Sequence, residues 1–172
     1  HVKGEICVRV AKPSETLTLL NGKELNLTDQ DLVIADQTEP LALAGIMGGS
    51  KDSILDNTTK MILEVANFHS IGTRKSAQRF DLRTEASVRF EKAIDPQRVD
   101  LAISMALLLF KQECPQAKAT AFLDCYPTPL DSAPIALPLS LLERQMGQRL
   151  PDEEIHSLLS SLGFSIKQEG DI

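Results

Sequence analysis

The sequence predicts an α+β fold: a mixed β-sheet domain packed on helices, one of them long and buried, followed by a partial winged-helix-like module. Three observations predict it. Residues 5–68 read as short strands, with turn signals every few residues. Residues 70–110 carry helical signals, strongest in the apolar run 101–110. Residues 126–138 hold four prolines, Pro127, Pro129, Pro134 and Pro138. That linker composition divides a first domain, residues 1–130, from residues 131–172.

The elements follow in order. Residues 5–10 alternate apolar and polar, as a half-buried strand does. Residues 16–20 and 23–27 flank Asn21-Gly22, a hairpin signal in which both turn residues take positive φ. Residues 32–35 and 41–46 are two more strands around a Thr38-Glu39-Pro40 turn, and residues 60–68 are another. Ser70 caps a helix running to about Arg79. Asp95 caps the long helix, with Pro96 at its first position. That helix is apolar nearly all round after Leu101, which predicts a central buried helix. Residues 119–125 return as a strand. Two amphipathic helices, residues 139–146 and 151–162, stop at Gly147 and Gly163. A strand over 164–167 would complete a helix-turn-helix-strand unit.

Composition narrows the function. A net charge of −6 argues against a free-standing nucleic-acid binder, though a module of a larger assembly could still touch RNA locally. Cys7, Cys114 and Cys125 form no C-x-x-C spacing, which argues against a disulfide framework or zinc site and fits a reducing cytoplasm. The longest apolar run is too short for a membrane span. The histidines His1, His69 and His156 are scattered, without metal-ligand spacing or a Ser-His-Asp set, so the catalytic group is unassigned. The chain opens without methionine and closes in EGDI, as a fragment of a longer protein would.

The residues that could carry chemistry lie between Leu43 and Pro96. Gly45-Ile46-Met47-Gly48-Gly49 is either a tight strand connection or a loop that lets a ligand approach bare backbone. Glu64 sits inside the apolar run 61–66, where it either faces solvent or waits for a partner. Arg74, Lys75, Arg79 and Arg83 are either a solvated face or a local phosphate contact. In Thr84-Glu85-Ala86-Ser87, alternation would turn Thr84 and Ala86 toward one side, suiting the wall of a small pocket.

Taken together, TLTLLNGKELNL, LVIAD, LALAGIMGG, ILEVANF and RTEASVRFEKAIDP stand in an order and spacing that resembles the beta chain of bacterial phenylalanyl-tRNA synthetases. The resemblance covers the B3/B4 editing domain over residues 1–130 and the start of the B5 domain over 131–172. It implies a site that hydrolyses tyrosine wrongly attached to tRNA(Phe). Glu64 would receive the tyrosine hydroxyl, Gly48 would line the pocket with Gly45 opening the loop, and Thr84 and Ala86 would form another wall. A site built to bond a hydroxyl rejects the analogue lacking it by about 10⁴–10⁵. The resemblance further implies an alpha subunit in a heterotetramer, the acceptor end of tRNA(Phe) as partner, and tyrosine as editing ligand. ATP and Mg²⁺ would serve the whole enzyme and not this fragment, with no metal and no membrane here, in the cytoplasm. Two positions depart from the family. Ala93 stands where glycine is usual, and a Gln-Pro-x-His-Ala-Phe-Asp segment has no match at His1-Val2-Lys3-Gly4. The competing reading is a non-catalytic module that binds tRNA or organises subunits.

Overall fold

Strand β4 (Leu32–Ala35) is the hinge of the arrangement, because Val33, Ile34 and Ala35 are buried on both of its faces. This computed structural model describes residues 2–51, 54–130, 133–168 and 170; His1 lies outside them. The chain divides into two compact units, His1–Ala119 and Thr120–Ile172. The division falls ahead of the proline-rich stretch.

In the first unit β4 pairs antiparallel with β1 (Cys7–Val10) and with β5 (Pro40–Leu43), and β6 (Met47–Gly48) extends the sheet beyond β5. The two-residue period of a strand sends alternate side chains to opposite faces. Val33, Ala35 and Leu43 therefore join one cluster, with Leu17, Leu19 and Leu25. Ile34 turns the other way, to Ala44 and Phe68, with Ala42, Ala66 and Phe90 packed against them.

Strands β2 (Thr16–Thr18) and β3 (Glu24–Asn26) form the expected hairpin. Its turn differs from the expected one: Gly22 N donates to Leu19 O (2.9 Å) and Leu19 N to Lys23 O (2.9 Å). Of the two turn residues only Gly22 has positive φ, +82°. The loop therefore holds three residues closed by a left-handed glycine, a geometry that also suits the twist of a hairpin. Leu20 N donates to Gly48 O (3.0 Å) and Ser50 N to Thr18 O (2.9 Å), tying the hairpin to the glycine loop.

Helix α1 (Ser70–Arg79) is capped by His69, whose Nδ1 accepts from Gly72 N at 3.2 Å; Ser70 is already helical. Helix α2 (Glu85–Phe90) replaces the extended stretch expected around Thr84. Helix α3 (Arg98–Glu113) begins after Asp95, whose carboxylate instead closes a turn by accepting from Gln97 N (2.9 Å). The long helix is not the buried centre of the fold. It buries none of its residues, and Leu101, Met105, Leu107, Leu108 and Leu109 stay between 45% and 62% exposed. A helix apolar all round needs cover on every side; the cavity described below takes in only Arg98, Val99 and Ala102 of its opening turns.

Residues 60–68, 119–125 and 164–167 pair with no strand among the described residues. These runs are largely exposed as well as unpaired, with Ile62, Phe122 and Leu123 among the open side chains, because a strand needs a partner edge that a local apolar pattern does not supply. In the second unit α4 (Leu139–Met146) ends at Gly147, φ +72°, and α5 (Asp152–Ser161) opens with three acidic residues that suit the positive end of its dipole. The helix-turn-helix is present, and no strand follows it among the described residues. No helix among these residues is long and apolar enough to cross a membrane.

Candidate functional site

The glycine loop organises the site by what it lacks. Gly45 has φ +68°, and a Cβ there would lie 2.9 Å from Phe68 Cδ2 and 3.4 Å from Phe90 Cδ2. Its absence lets those two rings meet edge to face, 5.1 Å between centroids at 73°. Gly48 is less constrained, since a Cβ there would meet only Leu20, at 3.4 Å. Gly49 is the tightest point: its N donates to Leu41 O at 2.7 Å, and a Cβ would fall 2.5 Å from that oxygen.

Thr84 fastens α2 to this loop. Its Oγ1 donates to Ile46 O (2.8 Å) and accepts from Ser87 N (3.0 Å), while Ser87 Oγ accepts from Thr84 N (2.9 Å). This is a reciprocal capping box. Because residues 85–90 are helical, Ala86 and Phe90, four apart, lie on one side. Both line the cavity, and Thr84 does not; its hydroxyl is spent on backbone. Beyond α2, Ala93 takes φ +53°, the left-handed conformation that glycine would hold without penalty. An alanine there carries about 1–2 kcal/mol of strain.

An open cavity of about 500 Å³ lies within the first unit. Ile34 and Ala42 form its floor, and Gly45 and Gly48 one wall. Ala86 and Phe90 form a second, the segment of Glu64 to Phe68 a third, and Asp95, Arg98 and Val99 its remaining side. Asn67 Nδ2 donates to Ile94 O (2.5 Å), which holds the last two of these together. Glu64, Gly45, Gly48 and Ala86, four of the residues singled out in the sequence, thus border one space.

Glu64 combines two features. The residue as a whole is exposed to solvent. Yet protein around its carboxylate displaces enough water to raise its pKa above the ordinary glutamate value. No hydrogen bond or ion pair satisfies it among the described residues. The two pictures agree for a group whose residue is wetted on one side while its charge is poorly hydrated. Such a carboxylate is suited to accept a hydroxyl proton donor carried by a ligand.

The basic segment does not enter the cavity. Arg79 is committed elsewhere: its Nη2 pairs with Oδ1 of the fully buried Asp31, which also accepts from Ser76 Oγ (2.6 Å) and Thr28 N (2.9 Å). Arg74, Lys75 and Arg83 are exposed on and just beyond α1. Among the described residues no cluster of three His, Cys, Asp or Glu side chains forms a metal site. The sequence reading omitted Phe68, Phe90, Asn67 and Arg98. Helical spacing from Ala86 would have found Phe90; the other three depend on tertiary contacts.

Residues 1–115 match the family model described as the B3/4 domain. The chain belongs to the B3/4 domain family. The B3/4 match includes every residue of the cavity. Relatives of this B3/4 domain chain include the phenylalanine–tRNA ligase beta subunits of Psychrobacter arcticus, 38% identical over 99% of this chain, and Solibacter usitatus, 37% identical over 97%. The same subunit of Carboxydothermus hydrogenoformans is 38% identical over 94%. The chain spans only 21%, 22% and 20% of the lengths of these relatives.

Proposed function

We propose that this B3/4 domain is the post-transfer editing module of a phenylalanine–tRNA ligase beta subunit, hydrolysing Tyr-tRNA(Phe). The observation that carries the reading is the partnerless carboxylate of Glu64 on the wall of a mainly apolar cavity. A tyrosyl ring would lie against Gly48 and Ala86, where the small side chains leave room, and give its hydroxyl hydrogen bond to Glu64. A phenylalanyl ring would leave that carboxylate dehydrated and unpaired, which disfavours its entry. The cavity volume falls in the range of roughly 300–1,000 Å³ that small-molecule sites occupy.

In the reaction, water adds to the ester carbonyl, the acyl C–O bond breaks, and tyrosine and tRNA with a free ribose hydroxyl leave. Glu64 selects and orients; no side chain here is assigned to the proton transfer. The names of the relatives support placing this domain in a ligase with an alpha subunit and tRNA(Phe). ATP and Mg²⁺ would serve the aminoacylation site of that alpha subunit. Neither is given a role in the hydrolysis proposed here.

The test uses the full ligase. Glu64→Ala is expected to let Tyr-tRNA(Phe) accumulate while phenylalanine attachment persists. Deacylation of preformed Tyr-tRNA(Phe) at the parent rate would remove Glu64 from the role.

A further inference from the structure

We infer that Arg98 is the substrate-anchoring cation of this site, holding a phosphodiester at the 3′ end of the aminoacylated RNA while Glu64 holds the side chain. The inference rests on the editing reading above.

Three observations lead to it. Arg98 is the one cationic side chain among the residues that line the cavity. The cations of the basic segment, Arg74, Lys75, Arg79 and Arg83, lie outside that lining, and Arg79 is bound to Asp31. Secondly, the guanidinium of the exposed Arg98 has no hydrogen bond or ion pair among the described residues, as is also true of Arg74, Arg83 and Arg144, but of these four only Arg98 lines the cavity. Thirdly, its backbone is fixed to the site. Arg98 N donates to Asp95 O (3.1 Å), and the Asn67 side chain holds the neighbouring Ile94 carbonyl to the strip that carries Glu64.

Charge decides what Arg98 would hold. The cavity lining carries two carboxylates, Glu64 and Asp95, in a chain of net charge −6. An aminoacyl ester has no carboxylate, so its anionic groups are the phosphodiesters of the RNA. Such an end would be repelled from this cavity unless a cation met it, and a planar guanidinium suits phosphate oxygens.

The experiment measures deacylation of Tyr-tRNA(Phe) by the holoenzyme carrying Arg98→Ala, Arg98→Gln or Arg98→Lys, against the parent and Glu64→Ala. Losing one charge-assisted contact is expected to raise KM about 10-fold. The kcat should hold, because Arg98 touches no reacting atom. Neutral variants should flatten the dependence of log(kcat/KM) on log salt by about 0.7, the loss of one phosphate contact on a single strand. Arg98→Lys should retain the slope, a result that packing alone would not produce. Arg98→Gln keeps a polar stem and carries the test if Arg98→Ala melts early. Unchanged KM and salt slope in the neutral variants, with Glu64→Ala inactive, would overturn the role of Arg98 alone. No hydrolysis by the parent would overturn the editing reading and this inference together.

Discussion

Glu64 is a residue whose surroundings keep its carboxylate poorly hydrated. Its folded pKa lies above the ordinary glutamate value because of dehydration, with no cation to offset it. The folded state therefore binds this proton more readily than the unfolded state does. The stabilising contribution is fully present below the unfolded value of 4.5 and is lost as pH rises through the raised folded value. Near neutrality the charged carboxylate opposes folding. Glu64→Gln is expected to melt above the parent at neutral pH, and the gap should close as pH falls below the usual glutamate range. Thermal melts across that range check it; a gap that widens in acid would mean that Glu64 has a hidden partner. Gly45 shows the reverse economy: both its left-handed φ and the missing Cβ are used, so that Phe68 and Phe90 can meet.

At the scale of elements, α2 is a six-residue helix that would not persist alone, since isolated short helices are marginal in water. Its capping box and the bond from Thr84 to Ile46 O hold it where Ala86 and Phe90 face the cavity. Thr84→Val removes the hydroxyl at nearly constant volume. It is expected to lower stability by about 1–2 kcal/mol, whereas Thr84→Ser should keep most of it. Denaturant midpoints measure both. This element also marks what the sequence made legible. The ends of α4 and α5 were readable because proline and glycine act locally, and the hairpin because Asn21-Gly22 does. Thr84-Glu85-Ala86-Ser87 was not, because four residues fit a strand period or a helix period equally well. Residues 60–68 failed as a strand for another reason: pairing needs an edge elsewhere in the chain, and no local pattern reports one. Glu64, Gly45, Gly48 and Ala86, which border one cavity, were singled out through the family resemblance; Arg98 was not, and one arginine at a helix start carries no local signal.

At the scale of the whole first unit, a half-buried ion pair is among the contacts that join the strand-rich half to the helical half. Asp31 precedes β4 and Arg79 ends α1, 48 residues later. The carboxylate is fully buried, while the arginine side chain is 36% exposed and stacks over Phe80 at 4.7 Å. Removing the arginine would leave a buried charge served by Ser76 and Thr28 alone. A fully uncompensated buried charge costs about 3–5 kcal/mol. With those hydrogen bonds kept and water able to reach the vacated side, Arg79→Ala is expected to cost about 2 kcal/mol. Two measurements separate this role from an RNA contact. Chemical denaturation should show the loss directly, and Asp31→Asn combined with Arg79→Ala should cost less than the sum of the single changes, because they share one interaction. The salt slope for Tyr-tRNA(Phe) deacylation by the holoenzyme should be unchanged in Arg79→Ala. A slope reduced as in the neutral Arg98 variants, with stability intact, would return Arg79 to the RNA surface and free Asp31 to be explained by its hydroxyl and backbone partners alone.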